Sequence, residues 1–233
     1  MGLKTAYVVP SRGRPENVKR LVQACKKTEF RSDLWIVIDD NDWKRREYEA
    51  IANEFDVGYI IVENYSGGMC KSLNAALELL MDDTKYDYYD YFGFLGDDVL
   101  PKTIFWDYML QLAIPFPKNG ISYGNDLFQQ QNLPTHPLMT RSIIDHLGGM
   151  TPPGLLHLYA DNFWKSLGRD INGLYYKPEI ILEHLHPIAQ KSAMDEGYAR
   201  VNGLEIYEHD LRVYEDYIAS EDYRRLVAIL KNP

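Results

Sequence analysis

The chain has 233 residues, 45% of them hydrophobic, and a formal net charge of −9. That is enough for one large domain or two small ones around a sizeable core. The acidic balance argues against a general nucleic-acid binder, which neutralises many phosphates with Lys and Arg. The two cysteines, Cys25 and Cys70, fall in helical patterns without metal-type spacing and read as reduced cytosolic thiols, not as a disulfide framework.

The opening MGLKTAYVVPSRGRP holds too short an apolar run for a signal peptide or a membrane span, and no later stretch reaches membrane length. The expectation is a cytoplasmic protein with no membrane partner. Asn64-Tyr65-Ser66 has the form of a glycosylation sequon, which carries no meaning in a chain that is not secreted.

Strand and helix alternate through the first half. Thr5 to Val9 reads as a strand, and a helix follows from Pro15 to Lys27 with proline in its first turn. Leu34 to Ile38 (LWIVI) is a continuous apolar run, as expected of a strand buried on both faces. Trp43 to Phe55 is helical, Val57 to Val62 is a third strand, Gly67-Gly68 opens a helix over MCKSLNAALELLM, and Tyr91 to Leu95 is a fourth strand. This rhythm predicts a mostly parallel sheet covered by helices on both faces.

The second half is less regular. Gly120 to Asn125 and His136 to Thr140 read as short strands, Ser142 to Leu147 and Tyr159 to Leu167 as short helices, and Tyr175 to Glu183 as a strand. The tail from Ala193 to Leu230 is polar and helical with a Tyr-rich face. That face offers either a homodimer contact or packing on the core, the more ordinary use of tyrosines at helical spacing. No repeat or linker divides the chain. It reads as one unit: a nucleotide-binding half over 1–100, an acceptor-side half over 101–190 and a helical tail over 191–233.

Ligands of an open parallel sheet bind beyond the carboxyl ends of its strands. Pro10-Ser11-Arg12-Gly13-Arg14 follows the first strand, Asp39-Asp40-Asn41-Asp42 the second, Glu63 to Gly68 the third and Gly96-Asp97-Asp98 the fourth. Any one of these is ordinary turn chemistry; together they describe a crevice. Arg12, Arg14, Lys71 and the Gly67-Gly68 helix start suit an anion such as a diphosphate. Asp97 and Asp98 offer hard oxygens for Mg²⁺ or Mn²⁺, which commonly bridges substrate phosphates. The alternative for the pair is a helix cap ahead of Pro101.

The stretches VVPSRGRPENVKRL, IVIDDND, NYSGGMCKSLNAAL, FLGDDVL, LGGM with YADNFW, and EHLHP resemble, in order and spacing, the nucleotide-sugar glycosyltransferases of the GT-A fold, in particular glycosyltransferase family 2. They run from residue 7 to about residue 187. The whole also resembles the compact family 2-like enzymes of tailed bacteriophages, which would place it in a host cytoplasm. The resemblance implies an α/β GT-A (Rossmann-like) fold with a mixed, mostly parallel sheet flanked by helices. It implies that Pro10, Ser11 and Arg12 line the nucleotide, that Asp39 or Asp40 accepts hydrogen bonds from the base, and that Lys71 and Asn74 sit near base or phosphates. Gly96-Asp97-Asp98 occupies the place of the DXD metal motif, with glycine at its first position. Asp98 is then the metal ligand, Asp97 lies nearer the sugar or ribose, and His184 or His186 completes the site for Mn²⁺ or Mg²⁺. Gly148 and Gly149 resemble the glycine loop facing the acceptor. Asp161 resembles the catalytic base, with Ala160 in place of the usual Glu.

Such a site would transfer a sugar from a nucleoside-diphosphate donor, UDP being the commonest in the family, to a hydroxyl of a modified DNA base, a protein or a small molecule. Attack opposite the leaving group would invert the anomeric centre. Asp161 also stands where a helix N-cap would, and His184 and His186 alternate at a strand end and so share a side. His157 is a further acceptor-side candidate. Phe163 and Trp164 read as core, and Gln129 to Gln131 as loop. A basic face built from Lys26, Lys27 and Lys44 to Arg46 would be needed to offset the charge if DNA were the acceptor, though such runs are usually solvated helix surface. Two rival readings remain. One is a non-catalytic nucleotide-sugar or protein-binding module, suggested by Gly96 and Ala160. The other is a sugar-nucleotide pyrophosphorylase, which the single glycine of PSRGRPEN disfavours.

Overall fold

The computed structural model describes residues 3–63, 68–82, 89–185 and 203–232. The sequon, Gly67, His186 and the start of the tail lie outside them. The first half alternates as its apolar pattern requires: β1 (Thr5–Ser11), α1 (Pro15–Lys27), β2 (Asp33–Asp39), α2 (Arg45–Phe55), β3 (Gly58–Val62), α3 (Met69–Asp82) and β4 (Tyr91–Phe94). Then come β5 (Val99–Pro101), α4 (Trp106–Leu112), β6 (Ile121–Asn125), a 3₁₀ turn (Gln130–Asn132), β7 (Pro137–Thr140), α5 (Arg141–Leu147), α6 (Ala160–Asp170), β8 (Leu174–His184), α7 (Leu204–Ala219) and α8 (Glu221–Leu230).

The strands order as β3-β2-β1-β4-β7-β6-β8-β5. β1 to β4 are mutually parallel, β7 runs against both β4 and β6, β8 is parallel to β6, and β5 runs against β8. Alternate residues of β1 feed two cores. Ala6 and Val8 pack with α3, α5, α6 and α8, while Tyr7 and Val9 pack with α1, α2 and α4. This burial on both faces is what makes the Leu34 to Ile38 run of β2 uniformly apolar.

The stretch after Asp98 does not take the form that the helix-cap alternative requires. No helix begins there; Val99 to Pro101 is β5, and α4 starts at Trp106 behind Phe105, whose φ is 58°. Val99 is fully buried and pairs opposite His184. Asp97 and Asp98 therefore cap no helix. The apolar pair Val99-Leu100 was too short to read as a strand from sequence alone. Hydrogen bonding to β8, distant in sequence, is what holds it extended.

The described part of the tail packs on the core. Tyr223, Leu226 and Leu230 are buried, and Val213, Tyr214, Tyr217 and Ile218 lie against them. Ser220 caps α8 by accepting from the Tyr223 N–H at 3.1 Å. The Tyr223 hydroxyl donates to Asp170 of α6 at 2.7 Å, and Asn119 donates to the Leu230 carbonyl at 3.0 Å. Phe163 and Trp164 are core residues, as expected. No described helix is long and apolar enough to cross a membrane.

Gly93 sits opposite Tyr7 in the β1–β4 ladder, and a Cβ there would stand 2.2 Å from the Tyr7 ring. Gly93→Ala is expected to displace that ring from its edge-on packing with Trp106 and to lower stability by about 1–3 kcal/mol, measured by denaturant unfolding.

Candidate active site

The carboxyl ends of β1, β2 and β4 meet on one edge through a connected set of polar contacts. The Ser11 hydroxyl donates to Asp97 at 2.6 Å. Its only proton is thereby committed, so the Tyr48 hydroxyl, 2.9 Å away, donates to Ser11 while accepting from the Arg14 N–H at 2.7 Å. Asn17 donates to Asp97 at 3.4 Å, and the Arg14 guanidinium stands 3.7 Å from it. Arg12 bridges Asp39 at 2.7 Å and Asn41 at 2.6 Å, with its guanidinium 5.8 Å from the ring centre of the exposed Trp43. Asp42 accepts from the Gly13 N–H at 2.8 Å. Of the acidic pair after β2, Asp39 is engaged by Arg12 and by Ser72 of α3. Asp40 keeps a carboxylate oxygen, Oδ1, with no hydrogen-bond partner among the described residues.

A second set gathers where β8 comes back over the Gly96–Asp98 turn. The His184 N–H donates to the Asp126 carbonyl and the Leu185 N–H to the Asp98 carbonyl. This places His184 Nε2 3.4 Å from Asp98 Oδ1. A Cβ on Gly96 would stand 2.9 Å from Asp98 Oδ1, the tip of a side chain that can turn aside.

His136 was not foreseen. It immediately precedes β7 almost fully buried, receives the Gly96 N–H on Nδ1 at 3.4 Å and lies edge-to-face with His184 at 4.9 Å between ring centres. Burial first, and then the neighbouring His184, lowers its pKa to about 3, so it is neutral. Asp126 was also missed. Its carboxylate collects the N–H groups of Phe128, Gln129 and Gln130, which fixes the turn holding Gln129 to Gln131. A histidine beginning an apolar strand and an aspartate in a turn give no sequence signal beyond ordinary structure.

The acceptor-side candidates divide. Gly148, at φ 79°, is the left-handed C-cap of α5. The Asn74 amide accepts from the N–H groups of Met150 and Thr151 and donates to the Thr151 carbonyl. A Cβ on Gly149 would stand 2.5 Å from Asn74 Oδ1. Lys71 is exposed on the first turn of α3. The Cys70 N–H at that helix start is taken by the Leu156 carbonyl at 3.0 Å. Asp161 is not the N-cap of α6, a position held by Tyr159. It lies inside the first turn and accepts from the Asn162 N–H at 2.9 Å. Burial raises its pKa, and the pull of His184 opposes that rise in part.

Among the described residues no group of three or more His, Cys, Asp or Glu stands ready to hold a metal ion. The Asp98–His184 pair nevertheless has the right span. Two ligands each about 2.1 Å from one cation stand about 3.0–3.4 Å apart at angles between square and tetrahedral. The pair fits two positions of a coordination sphere. His186, the other histidine expected to complete it, lies outside the described residues.

No protein-family model and no curated protein matches the sequence. Solved structures do. The chain has the GT-A fold. It resembles glucosyl-3-phosphoglycerate synthase from Mycobacterium tuberculosis in complex with Mn²⁺, UDP and phosphoglyceric acid, with TM-score 0.61, 10% identity, and coverage of 91% of this chain and 79% of that one. It resembles the catalytic domain of Drosophila β1,4-galactosyltransferase 7 in complex with xylobiose, with TM-score 0.57, 14% identity, and coverage of 90% and 80%. A structure described as a glucose-1-phosphate thymidylyltransferase of Bacillus anthracis matches with TM-score 0.50, 11% identity, and coverage of 85% and 99%. At such identities the likeness establishes the fold, which serves both sugar transfer and nucleotidyl transfer.

Burial, then the neighbouring Asp98, raises the pKa of Asp97 from 3.8 to about 6, against the opposing effect of Ser11, Arg14 and Asn17. A carboxyl whose pKa is higher in the folded state adds stability that is full below its unfolded pKa and is lost as pH rises through the folded one. Between pH 4 and pH 7 the metal-free Asp97→Asn protein is therefore expected to gain stability relative to the native chain. The gain is expected to be about 2–3 kcal/mol, read as the pH dependence of the difference between the two denaturant-unfolding free energies.

Proposed function

We propose that the protein is a divalent-cation-dependent, inverting glycosyltransferase that takes a nucleoside-diphosphate sugar, with UDP as the first nucleotide to test, and passes its sugar to a hydroxyl acceptor. The observation that carries this reading is the meeting of Asp98 with His184 at the carboxyl edge of a GT-A sheet, with the half-buried carboxylate of Asp161 close enough to feel His184 electrostatically.

Each residue has a task in this reading. Asp98 and His184 hold the cation, which when bound offsets the charge that develops on the departing diphosphate. Asp40, with its unpartnered oxygen, accepts from the base, and Arg12 and Asp39 line the nucleotide beside it. Ser11, Arg14 and Asn17 fix Asp97 toward the ribose or sugar. Asp161 takes the proton of the acceptor hydroxyl as it attacks, and the rise in its pKa makes it a stronger base than an exposed aspartate. Gly148, Gly149 and His157 border the acceptor, whose class, whether a modified DNA base, a protein or a small molecule, is for experiment to identify.

The nucleotidyltransferase alternative is weakened by the loop after β1. A phosphate cradle needs backbone N–H groups that point at the ligand. Here the Gly13 N–H is held by Asp42 and the Arg14 N–H by Tyr48. The binding-module alternative rested on Gly96 and Ala160. Ala160 is a buried core residue, and this mechanism assigns its roles to Asp98, His184 and Asp161, so it asks for no side-chain group at positions 96 and 160.

Thermal melting against a panel of nucleotides and nucleotide sugars, with and without Mn²⁺, tests the reading, because a ligand bound only by the native state raises the melting temperature. A cation-dependent rise is expected with a nucleoside diphosphate and its sugar. Asp98→Ala is expected to remove that rise while leaving the ligand-free melting temperature within a few degrees. A protein that no nucleotide stabilises, or an Asp98→Ala variant that still responds to Mn²⁺ with nucleotide, would overturn it.

A further inference from the structure

The tail contributes a carboxylate that none of the roles above uses. Asp210 of α7 has no exposed surface. Its Oδ1 accepts from the Leu156 N–H at 3.0 Å, and its Oδ2 accepts from the His157 N–H at 2.8 Å and the Leu158 N–H at 2.7 Å. His209 Nδ1 lies 2.9 Å from Oδ1. Three consecutive backbone donors converging on one buried carboxylate fix the course of a segment with no regular structure of its own.

That segment lies where the two sides of the crevice meet. On one side the Leu156 carbonyl accepts from Cys70 at the start of α3, and Gly68 leaves no room for a Cβ against the same carbonyl. On the other side it runs through Tyr159, held at φ 64°, into α6 and Asp161. Tyr159 in turn stacks on Tyr214 at 5.6 Å between ring centres and leans on Tyr207 at 5.6 Å, both from α7. Tyr214 also shares a hydrogen bond with Ser166 of α6 at 2.8 Å.

We propose that α7 is a positioning element of the reaction. Asp210, assisted by the Tyr207–Tyr159–Tyr214 contact, holds the Leu156–Leu158 segment so that His157 and Asp161 face the donor in register. This rests on the glycosyltransferase reading above. Asp210 acts through the segment and touches no reacting atom.

Asp210→Asn tests it. Whichever way the amide turns, its NH₂ meets a backbone N–H donor, so part of the clamp is lost while the volume is kept. The readouts are hydrogen exchange at Leu156, His157 and Leu158, binding of UDP with Mn²⁺, and Mn²⁺-dependent hydrolysis of UDP-glucose and of any other nucleotide sugar that stabilises the native protein, with water as acceptor. Exchange is expected to quicken at those three amides. kcat per folded molecule is expected to fall about tenfold to a hundredfold, as displacement of a reacting group by about an ångström commonly costs. Donor KM and UDP affinity are expected to stay within about twofold, because Arg12, Asp39 and Asp97 are held by contacts that do not involve this segment. A purely structural Asp210 would lower the melting temperature and leave kcat per folded molecule unchanged, and that result overturns the proposal.

If Asp210→Asn does not fold, Tyr207→Ala carries the test. Tyr207 is 45% exposed, and its loss is expected to give the same split between kcat and KM at about threefold; an unchanged kcat there also overturns the proposal. A native protein that neither binds nor turns over any nucleotide sugar sinks the transferase reading and this inference together. Native turnover that both variants preserve sinks this inference alone.

Discussion

The antiparallel pairing of Val99–Pro101 with Leu182–His184 is the constraint on which the rest depends. Without it the Gly96–Asp98 turn would end the parallel half of the sheet with two carboxylates pointing at water. β7, β6 and β8 all separate β4 from β5 in hydrogen-bond order, although only four residues separate them in sequence. The sheet must therefore curl for β5 to be reached. The curl brings the last residue of β8 against Asp98, and the backbone bonds from His184 to Asp126 and from Leu185 to Asp98 lock it there. A weak local preference is overridden by a long-range ladder, as is common for short strands.

The electrostatics of the edge follow from that closure. Arg12 and Arg14, in the loop after β1, are both matched to carboxylates, Asp39 and Asp97. Around His184 the carboxylates of Asp98 and Asp126 face a histidine pair of which His136 is held neutral by burial. The acidic side is thus poor in fixed positive charge. A divalent cation suits such a place, and a bare diphosphate there would meet repulsion.

Most of the fold could be read in the sequence, because the first half obeys strict local rules. Pro15 starts α1, LWIVI is β2, and the strand ends carry polar residues in register. The polar edge at the carboxyl ends of these strands followed directly. The second half resisted because its strands are short and its partners are remote. β5 is invisible without β8. The contribution of His136 depends on where Gly96 lies, and Asp210 looks like one more acid on a polar helix until its three backbone donors are seen. Asp98 was expected beside His184 or His186, and His184 lies 3.4 Å from it. Asn74 was expected at the nucleotide, yet its amide is occupied by the Met150–Thr151 loop; a side chain's direction on a helix of known register still depends on what the rest of the chain places beside it.

Ser72 and Asn74 are two residues apart on α3, and they hold opposite sides of the crevice. Ser72 binds Asp39 at the end of β2, and Asn74 binds the Met150–Thr151 loop. One rigid turn of helix is therefore a common foundation for both. Any change that rotates or slides α3 must move both by a similar amount. On the proposed transferase reading, donor and acceptor preference would then evolve, or be engineered, as a linked pair, and a donor swap would call for matching changes at residues 149–151.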